Sequence, residues 1–190
     1  NDDALYQNIT TMISGGKNAA GQVVGLALDS GISDYQAGIL NTQFDHLEEQ
    51  ITRRMENAAR LDALLSSRPY ASPLVADDRI TRNSYHLYCL RLNTESLGGV
   101  SRESFVNAVA AEGVPLGCGY GPVYEFDCVS GEYAKKQVGR PIDTSLLKVT
   151  DRVGHQEGCW FYHAVLLAEE GMMQTIVDAM DKVYENLDEL

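Results

Sequence analysis

The sequence lacks any unbroken run of apolar residues long enough to cross a bilayer, which takes about 18 or more such residues. A membrane-spanning helix is therefore not expected. Basic residues are also scarce, since 15 Lys and Arg stand against 27 Asp and Glu and give a net charge of −12. Because nucleic acids and anionic membranes bind basic surfaces, we expect neither as a partner.

Cysteine is the next scarce residue. The sequence has no CxxC pair and none of the histidine spacings of a structural zinc site. We therefore expect no metal site, and we interpret the cysteines as free thiols in a reducing compartment, which indicates a cytoplasmic protein. The four widely spaced cysteines are Cys89, Cys118, Cys128 and Cys159.

The beginning of the sequence also lacks expected features. It opens Asn-Asp-Asp without an initiator Met, a signal peptide or a targeting segment, so we expect it to be the remainder of a longer chain. A short helix capped by Asn1 or Asp2 is predicted next, followed by a glycine-rich loop. The Gly-Gly-Lys at 15–17 lacks the GxxxxGK[ST] spacing of a phosphate loop, because Asn18 follows Lys17 and no strand precedes.

The segment from Ser33 to Ser67 predicts one long amphipathic helix. Ser33 is a good N-cap, and Pro69 ends the segment. At about 1.5 Å per residue the helix would run roughly 50 Å, so we expect it to join two bodies or to pack against a second chain. The alternative is one long helix across a single core. The apolar positions, spaced by three or four, are Leu40, Phe44, Leu47, Ile51, Met55, Ala58, Leu61 and Leu65.

The rest of the sequence predicts a small α+β layer. Strands are expected at 82–93, 114–118 and 159–167, with a long irregular segment at 119–158. This order predicts a sheet of three or four strands, mainly antiparallel, with helices packed on it. One helix follows Ser101 with Phe105, Val106, Val109 and Ala110 inward and Gly113 as its C′ residue. A last helix at 169–187 packs Met173, Ile176, Val177, Met180, Val183 and Leu187.

Four ordered motifs resemble the DegT/DnrJ/EryC1/StrS aminotransferases, fold-type I pyridoxal-phosphate enzymes that place amino groups on sugars and cyclitols. The block GISDYQAGILNTQFDHLEEQITRRMENAARLDALL is similar to the family's RMSEFQAAILLAQLERLDEQ…RRENAARLDELL. NSYHLYCLRLN is similar to its YHLYVIRL strand, and GVPLGCGYGPVYE to its GIPxxxHYPPLH loop. CWFYHAVLLAEE is closer to the branch that holds aminohydroxybenzoate synthases and scyllo-inosose aminotransferases.

The resemblance implies a C-terminal, small-domain part of such an enzyme, with the large α/β domain absent. Residues 1–32 would be a remnant of the large domain and a connecting loop, 33–68 the interdomain helix, and 69–190 the small domain. Family members carry the Schiff-base lysine just before a stretch like TNDDELYE, whereas this chain starts at NDDALYQ. Pyridoxal 5′-phosphate is thus implied for the complete enzyme, while its binding by this chain alone is not expected. The lysines, none of which matches the Schiff-base position, are Lys17, Lys135, Lys136, Lys148 and Lys182.

The resemblance also implies cofactor-binding positions at Asp29 and Gly31. Family members have an Asn and an Arg there that reach the cofactor phosphate of the other subunit. A carboxylate repels a phosphate, and Gly31 offers no guanidinium, so either another group compensates or tight cofactor binding is lost. The alternative is an ordinary loop before the helix, with Asp29 and Ser30 as caps.

Three further residues are implied as substrate-binding. Tyr120 matches the tyrosine of the family's HYPPLH loop, whose flanking histidines are replaced by Gly119 and Tyr124. His163 matches a histidine in a strand of the aminohydroxybenzoate-like branch. A structural histidine in an apolar strand is the alternative for His163 and our interpretation of His86. Tyr120, Tyr124 and His163 are therefore the candidate substrate-binding residues.

Two functions are compatible with these observations. The first is the C-terminal portion of an aminotransferase acting on a keto-sugar, cyclitol or similar cyclic ketone, with glutamate or glutamine as amino donor. The second is a non-catalytic descendant that serves as a dimerisation or regulatory partner of an intact paralogue, which the departures at Asp29 and Gly31 favour modestly. In both cases we expect a homodimer, or pairing with the missing large domain, through Tyr35, Ile39, Leu40 and Phe44. A plain acidic binding module would require the four motifs to arise by chance.

Overall fold

The computed structural model describes residues 2–25, 27, 32–75, 77–131, 135–136 and 143–190. The helices are α1 (Asp3–Ile13), α2 (Asp34–Phe44), α3 (Leu47–Leu65), α4 (Arg102–Ala111), α5 (Asp127–Ser130), α6 (Lys148–Arg152) and α7 (Met172–Glu185). The strands are β1 (Ala71–Pro73), β2 (Leu87–Leu92), β3 (Gly117–Cys118) and β4 (Gly158–Tyr162). The chain groups into a first unit, Asn1–Ile39 with Gly121–Asp151, and a second unit, Leu40–Tyr120 with Arg152–Leu190. The predicted divisions at residues 32 and 68 stay predictions.

The second unit is built on a four-stranded sheet in the order β1-β2-β4-β3, with every neighbouring pair antiparallel. The register between the two central strands runs from Leu87 opposite Tyr162 to Arg91 opposite Gly158. This arrangement confirms the predicted α+β class and the antiparallel sheet. The sequence did not predict β1, which ends in Pro73 and lies at an edge of the sheet, where a missing amide donor is tolerated.

Helices α3, α4 and α7 pack together and on the sheet. Alternate strand residues face this core, including the buried Leu90 and Phe161. Most of the inward positions predicted for α4 and α7 are buried, but Ala110 is exposed. Ser101 caps α4 by accepting a hydrogen bond from the Ser104 amide. Gly113, at φ +88°, ends that helix in the left-handed conformation expected of a C′ glycine.

The predicted single helix over 33–67 is two helices, α2 and α3, separated by a turn at Asp45 and His46. The His46 amide donates to the Gln43 carbonyl at 3.2 Å, a three-residue spacing that interrupts the four-residue pattern. The apolar stripe is continuous in the sequence, but only its α3 half reaches the core. No residue described in α2 is buried, and Phe44 is 71% exposed. Because the core contacts α3 and not α2, it does not hold the two helices together as one straight helix.

Several predicted element boundaries were too wide. Strand β2 begins at Leu87 rather than at residue 82, and β3 is only two residues long. Strand β4 ends at Tyr162, and a 3-10 turn, Val165–Leu167, follows it. None of the helices in the described part of the chain is long and apolar enough to cross a membrane.

The first unit begins with α1, which is capped by Asp2, one of the two predicted residues, because its carboxylate accepts a hydrogen bond from the Leu5 amide at 3.0 Å. After α1 the glycine-rich loop folds back, and Lys17 forms a bridge with Val23. The Asn18 side chain accepts hydrogen bonds from two amides inside this loop. The loop is thus closed on itself by its own side chain.

Candidate functional site

The sheet presents a second face, opposite the helices, that carries polar and aromatic side chains. Tyr120 lies against Trp160 on this face, edge-to-face, with ring centroids 4.4 Å apart. Gly117 is opposite Trp160 in the register, and a Cβ there would lie 3.1 Å from the indole Nε1. A glycine at 117 therefore lets the indole lie across β3 and support Tyr120, whose side chain is 70% exposed.

His163 and His86 form a pair at the other end of the same strands. His86 directly precedes β2 and His163 directly follows β4, and the His163 amide donates to the His86 carbonyl at 3.2 Å. Their rings are stacked, with centroids 6.0 Å apart and planes 21° apart, and both side chains are exposed. His86 and His163 thus lie at the strand ends rather than inside the strands, and the structural and substrate-binding interpretations both stay predictions.

Strand geometry separates His163 from Tyr120. His163 lies three residues beyond Trp160, so about 3.4 Å per residue places it roughly 10 Å further along the strand. The structure therefore does not bring His163 and Tyr120 together at one point of the sheet.

Tyr124 belongs to the first unit, where its hydroxyl donates a hydrogen bond to the Asp151 carboxylate at 2.8 Å. Partial burial and the neighbouring Asp151 raise the pKa of Tyr124 to about 12. The phenol therefore stays protonated at neutral pH and acts as a hydrogen-bond donor. The other two candidates, Asp29 and Gly31, lie outside the described residues.

A cleft of about 490 Å³ on the second unit was not predicted. Its polar centre is Asp62, which accepts a hydrogen bond from the Tyr88 hydroxyl at 2.7 Å. Burial, together with this carboxylate, raises the pKa of Tyr88 and of Tyr85. Tyr85 also has a positive φ of 48°, which is uncommon for a residue with a side chain. The sequence analysis made no prediction for Asp62, and only its tertiary contact with Tyr88 reveals the cleft.

A buried carboxylate lies near the other end of β2. Glu157 is 7% exposed and lies within 3.3 Å of Arg91 Nε and 3.0 Å of Arg152 Nε. It ends a π-helical turn, Val153–Glu157, whose Gly154 carbonyl accepts a hydrogen bond from the buried Arg102 at 2.8 Å. Because two guanidiniums compensate one carboxylate, this cluster stabilises the turn before β4 rather than offering a free acid.

The Asp62 cleft and a second groove, along α3, lack a group that a pyridoxal-phosphate site requires. Such a site needs a lysine amine at the cofactor aldehyde, and neither the Asp62 cleft nor a 440 Å³ groove along α3 contains a lysine. Lys182 instead forms an ion pair with Glu112 at 2.7 Å. In the described part of the chain, no group of three or more His, Cys, Asp or Glu could hold a metal ion.

Solved aminotransferases share this fold. The crystal structure of 3-amino-5-hydroxybenzoic acid synthase matches 97% of this chain and 48% of that chain, with a TM-score of 0.66 and 20% identity. The pyridoxamine-phosphate form of a putative sugar aminotransferase, Spr1654 from Streptococcus pneumoniae, matches 98% and 46%, with a TM-score of 0.63 and 19% identity. The fold is thus that of about half of a fold-type I aminotransferase structure.

The model of the DegT/DnrJ/EryC1/StrS aminotransferase family matches residues 1–180, so the chain belongs to this family of pyridoxal-phosphate-dependent enzymes. A putative L-glutamine:3-amino-2,3-dideoxy-scyllo-inosose aminotransferase of Streptomyces kanamyceticus is 28% identical, over 100% of this chain and 48% of that protein. An L-glutamine:2-deoxy-scyllo-inosose aminotransferase of Micromonospora echinospora is 30% identical over 84% and 39%. The predicted resemblance is confirmed, and the chain spans less than half the length of these relatives.

Proposed function

We propose that this chain is the small-domain part of an aminotransferase that transfers an amino group from glutamine or glutamate to a cyclic ketone, either a keto-sugar or a cyclitol. The observation that carries the proposal is the family match along residues 1–180, together with relatives that are named as L-glutamine:scyllo-inosose aminotransferases. Since the chain spans less than half of those relatives, the cofactor lysine would come from a part of the protein outside this sequence.

Within this proposal, the second face of the sheet contributes to the wall that holds the acceptor ring. Tyr120, which packs against Trp160, offers an aromatic ring to the apolar C–H face of a sugar or cyclitol. His163 offers a donor to a ring hydroxyl or to a bound anion. Tyr124 belongs to the first unit and stays a candidate substrate-binding residue on the resemblance alone. These roles position a substrate, while the chemistry of amino transfer belongs to the cofactor.

We also propose that α2 packs against a second chain or against the large domain. Its apolar side chains are exposed to an extent that isolated monomers rarely leave in a contiguous patch. Tyr35 is 79% exposed, Ile39 49% and Leu40 55%, and Phe44 follows one turn after Leu40. A surface of this kind suits the homodimer or the domain contact that the resemblance implies.

The complete protein that contains this chain tests the proposed activity. We expect it, with pyridoxal phosphate and L-glutamine or L-glutamate, to aminate at least one of 2-deoxy-scyllo-inosose and a panel of keto-sugar nucleotides, as detected by mass spectrometry. Replacing Tyr120 with Ala should raise KM for the ketone about two- to tenfold, because an aromatic contact contributes about 0.5–1.5 kcal/mol. Tyr6→Phe, a change at an exposed position of α1, is the control and should leave KM unchanged.

A complete protein that folds and binds the cofactor but aminates none of these ketones would contradict the proposal. In that case the non-catalytic alternative gains support, and co-purification with an intact paralogue is the measurement that decides it. An unchanged KM in the Tyr120→Ala enzyme would leave the activity standing but would remove Tyr120 from the substrate site.

A further inference from the structure

Two of the four cysteines are direct neighbours across the sheet. Cys118 in β3 is opposite Cys159 in β4. The next residue pair is hydrogen-bonded, since the Gly119 amide donates to the Gly158 carbonyl at 2.8 Å. Bonded and non-bonded pairs alternate along an antiparallel ladder, so the two cysteines occupy a non-bonded position. Their Cα atoms are then about 4.5 Å apart, inside the usual range for a disulfide.

The remaining two thiols lack this relationship. Cys89 is opposite Trp160 in the register and lies on the second face of the sheet, whereas the buried Cys159 lies on the helix-covered face with Phe161. Cys128 belongs to the first unit. The fold therefore sets one pair of thiols apart from the other two.

We propose that Cys118 and Cys159 are a reversible thiol–disulfide pair, which a low-molecular-weight disulfide of the glutathione type oxidises to an intramolecular bond. Cys118 receives the oxidant, because it is half-buried while Cys159 is only 2% exposed. This inference does not depend on the proposed aminotransferase activity.

The exchange balances as two successive displacements. The Cys118 thiolate attacks one sulfur of the small disulfide, the S–S bond breaks, and one small thiolate leaves. Cys159 then gives up its proton and attacks the Cys118 sulfur, which expels the second small thiolate. The two cysteines lose two electrons and two protons, and the small disulfide takes them up as two thiols.

The surroundings of Cys118 modulate this step. Burial raises the pKa of Cys118, and the guanidinium of Arg102 acts in the opposite direction by favouring the thiolate. Arg102 is itself held by the carbonyls of Gly154 and Gly158, at 2.8 and 3.2 Å. Burial raises the pKa of Cys159 to about 12. Because the thiolate is the attacking species, oxidation should accelerate as the pH rises.

The disulfide would link the edge strand β3 covalently to β4. Strand β3 pairs with β4 through only two residues, and the segment with Tyr120 follows immediately. A disulfide here would close a loop of roughly 40 residues and restrict the unfolded chain. We expect the thermal midpoint to rise on the order of 10 °C relative to the reduced protein.

Incubating the folded chain with glutathione disulfide at about pH 8, near the pKa of an ordinary thiol, tests the proposal. After acid quenching and alkylation, peptide mapping should show one disulfide joining Cys118 to Cys159, reversible by dithiothreitol. The matched control is Cys89→Ser combined with Cys128→Ser, which should form the same bond. Cys118→Ala should form no intramolecular bond, and Cys159→Ala should stop at a mixed disulfide on Cys118.

Circular dichroism verifies that each variant is folded. Residue 159 lies in the core, and if Cys159→Ala does not fold, Cys118→Ala alone tests whether both cysteines are required. The proposal is overturned if the folded chain keeps four alkylatable thiols or carries glutathione on Cys118 without closing the bond. It is equally overturned if the native protein pairs Cys118 or Cys159 with Cys89 or Cys128. If the thermal midpoint of the oxidised protein is no higher than that of the reduced protein, the disulfide does not stabilise the pairing of β3 with β4.

Discussion

Asp181 on α7 receives hydrogen bonds from two residues that lie just before β1. The Arg68 guanidinium donates to both carboxylate oxygens, at 2.8 to 3.0 Å, and the buried Tyr70 hydroxyl donates at 2.7 Å. Burial alone would raise the pKa of Asp181, but the hydrogen bonds from Arg68 and Tyr70 outweigh it and hold that pKa below its usual value. The ionised carboxylate thus ties α7 to the edge strand.

Asp181→Asn should therefore destabilise the second unit in a pH-dependent way. At neutral pH we expect the free energy of unfolding to fall by about 1.5 kcal/mol. This is the lower end for charge-assisted hydrogen bonds, because the side chains of Arg68 and Asp181 are each 27% exposed. Because the pKa of Asp181 is lower in the folded than in the unfolded state, its carboxylate stabilises the fold at pH values above the unfolded pKa of about 3.9. This stabilisation disappears as the pH falls through the pKa of the folded state. Urea unfolding across pH should show the difference from wild type narrowing below about pH 4.

Asp188→Asn, at an exposed position after α7, is the matched control and should change the free energy of unfolding by less than about 0.5 kcal/mol. A difference between wild type and Asp181→Asn that stays constant from neutral to acid pH would show that the carboxylate charge does not stabilise the fold.

Asp29 and Gly31 carry a second prediction at the residue scale, which rests on the sequence alone. In the complete enzyme, Asp29→Asn combined with Gly31→Arg should tighten pyridoxal-phosphate binding by roughly tenfold or more, since a charge-assisted bond contributes about 1.5–3 kcal/mol. Fluorescence titration of the cofactor measures the effect, with Asp29→Asn alone as the comparison. Unchanged or weaker affinity in the double variant would mean that the phosphate is bound by other groups.

At the scale of elements, the periodicity of the sequence predicted the helices and strands whose buried faces pack into the core. Helices α4 and α7 and strands β2 and β4 were predictable because their buried positions repeat at the helical or strand period. The division between α2 and α3 was not, since no proline or glycine marks Asp45 and His46. The pairs His86–His163 and Cys118–Cys159 were also invisible, because they depend on register, which the sequence of a single strand does not contain.

The exposed apolar side of α2 provides the element-scale prediction. Replacing Leu40 and Phe44 with Glu should abolish self-association, because charges in an apolar contact lose hydration without gaining a partner. Sedimentation velocity at tens of micromolar should show an associated wild type and a monomeric, folded variant. Gln43→Glu, at an exposed polar position of the same helix, should remain associated. A wild type that is already monomeric would contradict the prediction for self-association, and pairing with the large domain would then be the remaining role.

At the scale of the whole molecule, the chain is part of an aminotransferase fold. The family match extends over residues 1–180, yet the chain covers only 48% of the Streptomyces kanamyceticus relative and 39% of the Micromonospora echinospora relative. The second unit supplies a packed core and a candidate substrate-facing surface. The lysine that would hold the cofactor has no matching position in this sequence. Our central claim is therefore that this chain is the small-domain part of an enzyme whose cofactor lysine lies outside this sequence.

Reaction of the isolated 190-residue chain with pyridoxal phosphate, followed by borohydride reduction and peptide mapping, tests this claim most directly. We predict no stoichiometric adduct on any single lysine, and the same scattered labelling in the folded and the urea-unfolded chain. The complete protein, treated in parallel, should give one adduct on a lysine outside this sequence. A single stoichiometric adduct on Lys17, Lys135, Lys136, Lys148 or Lys182 of the folded chain would contradict the account.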